Sequence, residues 1–271
     1  MNKRIAFIGG GNMASAIIGG LIGQAMVPGQ IDVVEPLSEA REKLKSSFGL
    51  QAHAQSGDFL DQADMVIWAV KPQTFKEAAL QVRSHTQKAL HLSVAAGIRS
   101  DSIADWLGTQ RVVRAMPNTP ALIGKGISAL FARPAVTVDD RSWVAEVVAG
   151  TGEFLWLDAE EKLDAVTALS GSGPAYMFYF MEAMITAGIE MGLTREQAHQ
   201  LTVATFIGAG ELARHTDEPP KVLRQRVTSK GGTTFAAIAS MEDEDTQAQL
   251  INAIYAARQR AREMGDEFGS T

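Results

Sequence analysis

The stretch Arg4-Ile5-Ala6-Phe7-Ile8-Gly9-Gly10-Gly11-Asn12-Met13-Ala14 constrains this chain most. An apolar run stops at three glycines, and helical spacing follows at once (Ala14, Ile17, Ile18, Leu21, Ile22). Strand, glycine turn and helix in that order are the setting of a dinucleotide-binding turn. Gly9 permits the tight turn, and Gly11 lets backbone approach a pyrophosphate. Ala14 is small enough for the helix to lie on the strand. The helix N-terminus adds free N–H groups and partial positive charge for the phosphates. A glycine turn without a ligand would show the same glycines, but not the strand before them and the helix after them.

The rest of the first half repeats the theme. Ile31 to Glu35 reads as a second strand, and Ser38 as the cap of a helix that Gly49 ends. A short strand at Gln51 to His53 and a helix from Ser56 come next. Met65 to Val70, Leu90 to Ala95 and Val112 to Ala115 are continuous apolar strands, with helices at Phe75 to Ser84 and Ser102 to Leu107 between them. Continuous apolar strands are covered on both faces. Their alternation with helices predicts an α/β Rossmann domain with a doubly wound, mostly parallel sheet. A strand at Ser128 to Phe131 and a helix at Arg141 to Ala149 follow, and the strand Phe154 to Leu157 is read as leading out of the sheet. The domain boundary is drawn there, giving residues 1–158 and 159–271.

Ligands of such sheets bind beyond the carboxyl ends of the strands. Three stretches fall there: Ala69-Val70-Lys71-Pro72-Gln73, Ala95-Ala96-Gly97, and Arg114-Ala115-Met116-Pro117-Asn118-Thr119-Pro120. Lys71 brings a cation to the cleft. Ala95, Ala96 and Gly97 leave room for a ligand near the backbone. Pro117 and Pro120 hold Asn118 and Thr119 in place. Glu35 ends the second strand, where a carboxylate meets the adenosine ribose, so it favours NADH over NADPH. Arg41 and Lys43 lie beyond the turn, on the helix, and weigh less.

From Glu160 onward the pattern is helical, so the second domain is expected to be all-α. Lys162 to Leu169 reads as one helix, interrupted by Ser170-Gly171-Ser172-Gly173-Pro174-Ala175-Tyr176. The interruption supplies a cap at Ser172 or Gly173, with Pro174 at the first helical position. The helix after it, to about Met191, is apolar nearly all round. Glu182 and Glu190 argue against a membrane span. A small helical domain cannot surround such a helix, so burial in a subunit interface is expected. Helices follow at Glu196 to Arg214, Lys221 to Val227, Phe235 to Met241 and Asp245 to Met264, with a frayed tail after Met264. Thr228-Ser229-Lys230-Gly231-Gly232-Thr233-Thr234 opens one of them as an anion nest or as an ordinary glycine turn.

Composition narrows the class. The 271 residues carry a net charge of −6 with both signs spread along the chain, which disfavours a nucleic-acid surface. Without cysteine there is no thiolate metal site and no thiol nucleophile. The five histidines show no metal-ligand spacing, so no metal is expected. A strand begins almost at the first residue, leaving no room for a signal peptide, and a cytoplasmic location without membrane attachment is expected.

Taken together, the glycine turn, Ala69-Val70-Lys71-Pro72, Ala95-Ala96-Gly97, Arg114 to Pro120, Ser170 to Tyr176 and Thr228 to Thr234 resemble the pyrroline-5-carboxylate reductase family over nearly the whole chain. The resemblance implies reduction of a cyclic imine bearing a carboxylate, 1-pyrroline-5-carboxylate, to proline. It implies NADPH or NADH as the cofactor and homodimers joined by C-terminal helices, many assembling into decamers. It assigns the cofactor to Ile8, Gly9, Gly10, Gly11, Asn12, Met13, Ser56, Ala69, Val70, Lys71, Pro72, Ala95, Ala96 and Gly97, with Asn118 beside the nicotinamide. It assigns the substrate carboxylate to Ser229, Gly231, Gly232 and Thr233 of a partner subunit, and the ring nitrogen to the Thr234 hydroxyl. Thr234 and Lys71 are the catalytic candidates. Two positions depart from the family: Lys230 replaces a proline, and Glu35 a small polar residue. A dehydrogenase of a small hydroxy acid and a non-catalytic dinucleotide-binding protein are the competing readings. The first lacks an obvious base in the helical half, and the second has no need of a carboxylate nest.

Overall fold

Strand and helix alternate from Ile5 to Trp156. The computed structural model describes residues 3–269. The order is β1 (Ile5–Ile8), α1 (Asn12–Gly23), β2 (Ile31–Val34), α2 (Ser38–Phe48), β3 (Met65–Trp68), α3 (Pro72–Val82), β4 (Leu90–Ser93), α4 (Ser100–Leu107), β5 (Val112–Met116), β6 (Gly126–Ala132), α5 (Val138–Ala149) and β7 (Gly152–Trp156). The seven strands stand in the order β2-β1-β3-β4-β5-β6-β7. All pairs are parallel except β5 with β6.

Side chains alternate across a strand, so a sheet covered on both faces needs apolar residues at every position. β1 shows it: Ile5 and Phe7 enter one core with Ile17, Leu44 and Val144, while Ala6 and Ile8 enter the other with Phe75 and Ile103. α1 crosses close to α5 because both carry glycine at the contact. A methyl on Gly150 would stand 2.6 Å from Gly20 Cα. Gly150→Ala is therefore expected to cost about 1–3 kcal/mol by overpacking, read as a lower urea midpoint.

The second core holds one buried histidine. Trp68 Nε1 donates to His91 Nδ1 at 3.1 Å, and His91 Nε2 lies 3.1 Å from Thr86 O. A carbonyl only accepts, so Nε2 carries the proton. Burial pushes the His91 imidazole down to about 4, and Arg111 adds to the effect against the opposing hydrogen bond to Thr86. Unfolded, it takes up a proton near pH 6.5. Its contribution is thus complete above about pH 6.5 and lost as the pH falls towards about 4, amounting to about 3 kcal/mol. His91→Gln should have a lower urea midpoint at pH 7 and a flatter dependence between these limits.

Several local expectations are corrected. The strand at Gln51 to His53 shrinks to one bridge, Val34 with His53, and the helix from Ser56 to a 3₁₀ segment, Asp58–Gln62. Ser38 is the first residue of α2 and not its cap. Leu37 takes the cap position without a side-chain bond, and its N–H donates instead to Glu35 Oε1. The strand at Phe154 to Leu157 does not leave the sheet. As β7 it pairs in parallel with β6 from Gly126 opposite Gly152 to Leu130 opposite Trp156, since α5 makes the crossover that a parallel pair needs.

The chain forms two compact units, Met1–Ser172 with Ala257–Thr271, and Gly173–Ala256. The first unit thus runs past residue 158 and takes back the chain's end. α6 (Lys162–Val166) and a π-helical turn, Thr167–Gly171, stay with it because Leu163 and Ala168 are buried. Ser172 has helical backbone angles but forms a bend after this widened turn, and the next helix starts at Gly173. The second unit holds α7 (Gly173–Glu190), α8 (Arg195–Arg214), α9 (Pro220–Arg226), α10 (Thr233–Asp243) and the start of α11 (Thr246–Gly269). Thr194 opens α8 with a reciprocal cap: its hydroxyl accepts from Gln197 N, and Gln197 Oε1 accepts from Thr194 N. Residues 265–269 of the tail are not frayed, since α11 stays helical to Gly269 and Phe268 reaches the second core; Ser270 and Thr271 lie outside the described residues. Among the described residues no helix is long and apolar enough to cross a membrane.

Candidate functional site

The parallel order of β1 to β5 gathers their carboxyl ends along one rim. Connections leave β1 towards β2 on one side and β3 on the other, which makes this the switch point of the sheet. Gly9 sits there with φ +96°. Its N–H donates to Val34 O at 2.8 Å, and a methyl on it would lie 2.6 Å from Ala69 O. Both conformation and space therefore require glycine, and the turn after β1 is locked against the turn after β3. Gly10 is wedged between Leu44 and Glu35. Gly11 is different: nothing lies within 4 Å of the place its side chain would occupy. Gly11 is also the N-cap of α1 and offers no side chain to the free N–H groups of the first turn. An open glycine face before an uncapped helix is what a pyrophosphate needs. The residues present thus fit a dinucleotide.

Glu35 is 7 % exposed and faces the glycine turn. Oε2 accepts from Gly10 N at 2.8 Å and Oε1 from Leu37 N at 2.9 Å. The carboxylate is anchored by two main-chain amides at the end of β2. Arg41, on α2 beyond the turn, reaches back to this same end. Its Nη1 donates to Glu35 O at 2.9 Å and Pro36 O at 2.6 Å. Ser56 follows the bridge residue His53 and is half-buried.

The other rim residues divide. Ala69 and Val70 contact the glycine turn. Lys71 is exposed and serves α3 through its carbonyl, which accepts from Thr74 N and Oγ1. Pro72 is the first helical residue. Gly97 has φ +71°, and the space beside it is filled by Met264 of α11, so its small size answers to protein packing. Asn118 spends its amide inside the fold. Nδ2 donates to Ser170 O at 3.1 Å, and Oδ1 accepts from Ile127 N at 3.0 Å. It ties the rim loop to the π-helical turn and to β6.

Sequence reasoning missed a buried charge network beneath this loop. Arg114 Nη1 donates to Glu160 Oε1 at 2.6 Å, and the same oxygen accepts from Ser100 N at 2.6 Å. Ser100 Oγ donates to Glu160 Oε2. Glu160 thus caps α4 from sixty residues away. An arginine inside an otherwise apolar strand was the available signal, since a buried charge needs a partner.

The glycine loop of the second unit is a tight turn. Gly232 N donates to Ser229 O at 3.0 Å, and Gly231 between them has φ +77°. A glycine there with positive φ is the third residue of a type II turn, whose second position suits proline and holds Lys230 here. Gly232 is the N-cap of α10 and offers no capping side chain, and the first turn has no acid. Its N–H groups are oriented for an anion, with Thr233 exposed and Thr234 half-buried beside them. This loop repeats the physics of α1: a glycine, an uncapped helix and no competing carboxylate.

Comparison with known proteins gives a consistent result. Residues 160–264 match the family model for pyrroline-5-carboxylate reductase dimerisation, and residues 4–97 that for NADP oxidoreductase, coenzyme F420-dependent. The chain is 43 % identical over 269 residues to the pyrroline-5-carboxylate reductase of Pseudomonas aeruginosa, covering 98 % of each chain. It is 38 % identical to that of Arabidopsis thaliana, covering 96 % of this chain and 95 % of the other. Among solved structures, the Coxiella burnetii pyrroline-5-carboxylate reductase superposes with a TM-score of 0.89 at 37 % identity, covering 97 % of this chain and 99 % of that one. The Plasmodium falciparum pyrroline carboxylate reductase with NADP bound does so with 0.88 at 26 % identity, covering 97 % and 98 %.

Proposed function

Since the chain belongs to the pyrroline-5-carboxylate reductase family, it reduces 1-pyrroline-5-carboxylate to proline with a nicotinamide dinucleotide, and we propose which residues do this and which cofactor they prefer. The observation that carries the assignment is the pair of uncapped helix N-termini behind glycine turns, at Gly11 and at Gly232. The first takes the dinucleotide pyrophosphate, with Ile8, Gly9, Gly10, Asn12 and Met13 around it. Ala69, Val70, Ala95 and Ala96 border the cofactor, Ser56 and Glu35 lie on its adenosine side, and Lys71 and Pro72 at the start of α3. The second takes the substrate carboxylate through the N–H groups of Gly232 and Thr233, helped by Ser229 and Gly231.

When bound, the nicotinamide supplies hydride to the imine carbon. Thr234 orients the ring nitrogen through its hydroxyl, so that the nitrogen is held protonated or takes its proton from water. Catalysis then rests on positioning and electrostatics. Lys230 adds a cation to the carboxylate loop. Asn118 acts from behind, fixing the rim loop by its bonds to Ser170 and Ile127. NADH is the preferred cofactor, because Glu35 is pinned where a 2′-phosphate would meet like charge.

Met177, Phe178, Tyr179 and Met184 of α7 are exposed in the single chain, an apolar surface that fits a dimer formed through the C-terminal helices. Light scattering should give a dimer or a multiple of it, up to a decamer, whereas a monomer at micromolar concentration would sink this arrangement. The chemistry is tested by following oxidation of NADH and NADPH in parallel, with and without pyrroline-5-carboxylate. Substrate-dependent oxidation, faster with NADH at low cofactor concentration, is expected. Oxidation of neither would remove the assignment.

A further inference from the structure

The last helix ends against the turn that follows β4. A methyl added to Gly97 would lie 2.9 Å from Met264 Cβ and 3.1 Å from Met264 Cε, with Phe268 Cδ2 at 3.5 Å. Beside it, Gly265 is buried and lies against the Arg99 guanidinium, whose Nη2 also bonds Asp266 Oδ1 at 3.1 Å. Phe268 packs on the core that includes Ala95 and Ile98. Residues 264, 265 and 268 share one helical face. All these contacts lie within the first compact unit.

This packing has no evident purpose in α11 itself, which buries only Ala261 and Gly265. Its effect falls on the turn. Gly97 has left-handed backbone angles and no side chain to hold it, so the turn needs support from outside. Met264 fills the volume that a side chain at 97 would take, and the Arg99 contact fixes the following residues at the start of α4. The dimerisation family match ends at residue 264, so Gly265 and Phe268 lie beyond it.

We infer that Met264 and Phe268 are positioning residues for the cofactor, holding Ala95-Ala96-Gly97 in the shape that receives it. This role rests on the placement of Ala95 and Ala96 at the cofactor proposed above.

The test measures NADH binding by fluorescence titration of the intact enzyme, with thermal midpoint and oligomeric state recorded for every variant. Met264→Ala should weaken NADH binding about tenfold by leaving a gap under the turn, and Met264→Leu should restore most of it. Phe268→Ala should act in the same direction. Val147→Ala, in the core on the other face of the sheet, is the control. It should lower the thermal midpoint comparably while leaving NADH binding unchanged. If Met264→Ala and Phe268→Ala bind NADH like the parent, or if Val147→Ala weakens binding equally, the inference is overturned. Ala96→Leu separates the two layers. Weakened binding there with none in the α11 variants sinks the positioning role alone, while unchanged binding removes both the loop's role and the helix's.

Discussion

Thr234→Ala lowers turnover by about 10–100-fold and leaves NADH binding within about twofold of the parent, as expected for loss of one directed hydrogen bond at the reacting centre. Thr234 is the second residue of α10, half-buried, and its helix starts at Gly232 without a competing cap. The proposed carboxylate nest is made of main-chain N–H groups, which the substitution leaves in place. The Michaelis constant for the imine should therefore rise less than turnover falls. Thr234→Ser keeps the hydroxyl and should recover most of the activity. If Thr234→Ala turns over like the parent, the hydroxyl does not bond the ring nitrogen, and only the helix N-terminus orients the substrate. The change is small and exposed enough to spare the fold, so a lowered thermal midpoint is not expected.

How much of this could be read from the sequence depended on the range of the interactions. Elements set by local pattern were legible: Ile5 to Ile8 before the glycines, the apolar strand that begins at Met65, and the helices that include Phe75 and Phe235. Elements set by distant partners were not. β7 belongs to the sheet because α5 returns the chain beside β6, and nothing in Phe154 to Leu157 announces that neighbour. The turn at Thr167–Gly171 looked like a break because serine and glycine are poor helix formers. It is held helical by burial of Ala168 and by the bond from Asn118 to Ser170. The end of α11 has a polar, terminal sequence, and its order comes from Gly97 and Arg99, some 165 residues earlier. At the candidate site the same rule applies. Gly9 and Gly231 were legible because each answers to backbone geometry. The direction of Asn118 and the Glu160 partner of Arg114 were not, because a side chain's target is not encoded beside it.

Glu35→Ser should raise the ratio of kcat/KM for NADPH over NADH by about 10–100-fold, corresponding to about 1–3 kcal/mol of relieved like-charge repulsion in a partly buried setting. The structure sharpens the reason. A mobile carboxylate could swing away from a 2′-phosphate, but this one is tied at both oxygens, to Gly10 N and Leu37 N. It cannot yield without leaving two amides unpaired. Charge and geometry therefore oppose the phosphate together. The same anchoring carries a cost to the variant: serine does not reach both amides, so the glycine turn loses its clamp and NADH binding should weaken about tenfold as well. That loss falls on both cofactors and cancels in the ratio, so the change in preference reports the relieved repulsion alone, and the two affinities must be measured separately. Arg41 decides how large the gain is. Its guanidinium already lies at the end of β2, bonded to Glu35 O and Pro36 O. In the double variant Glu35→Ser/Arg41→Ala the shift of the ratio towards NADPH should shrink while the weakened NADH binding remains. An unchanged ratio in Glu35→Ser, with NADH binding still weakened, would mean that the carboxylate serves the glycine turn alone and that cofactor choice is made elsewhere.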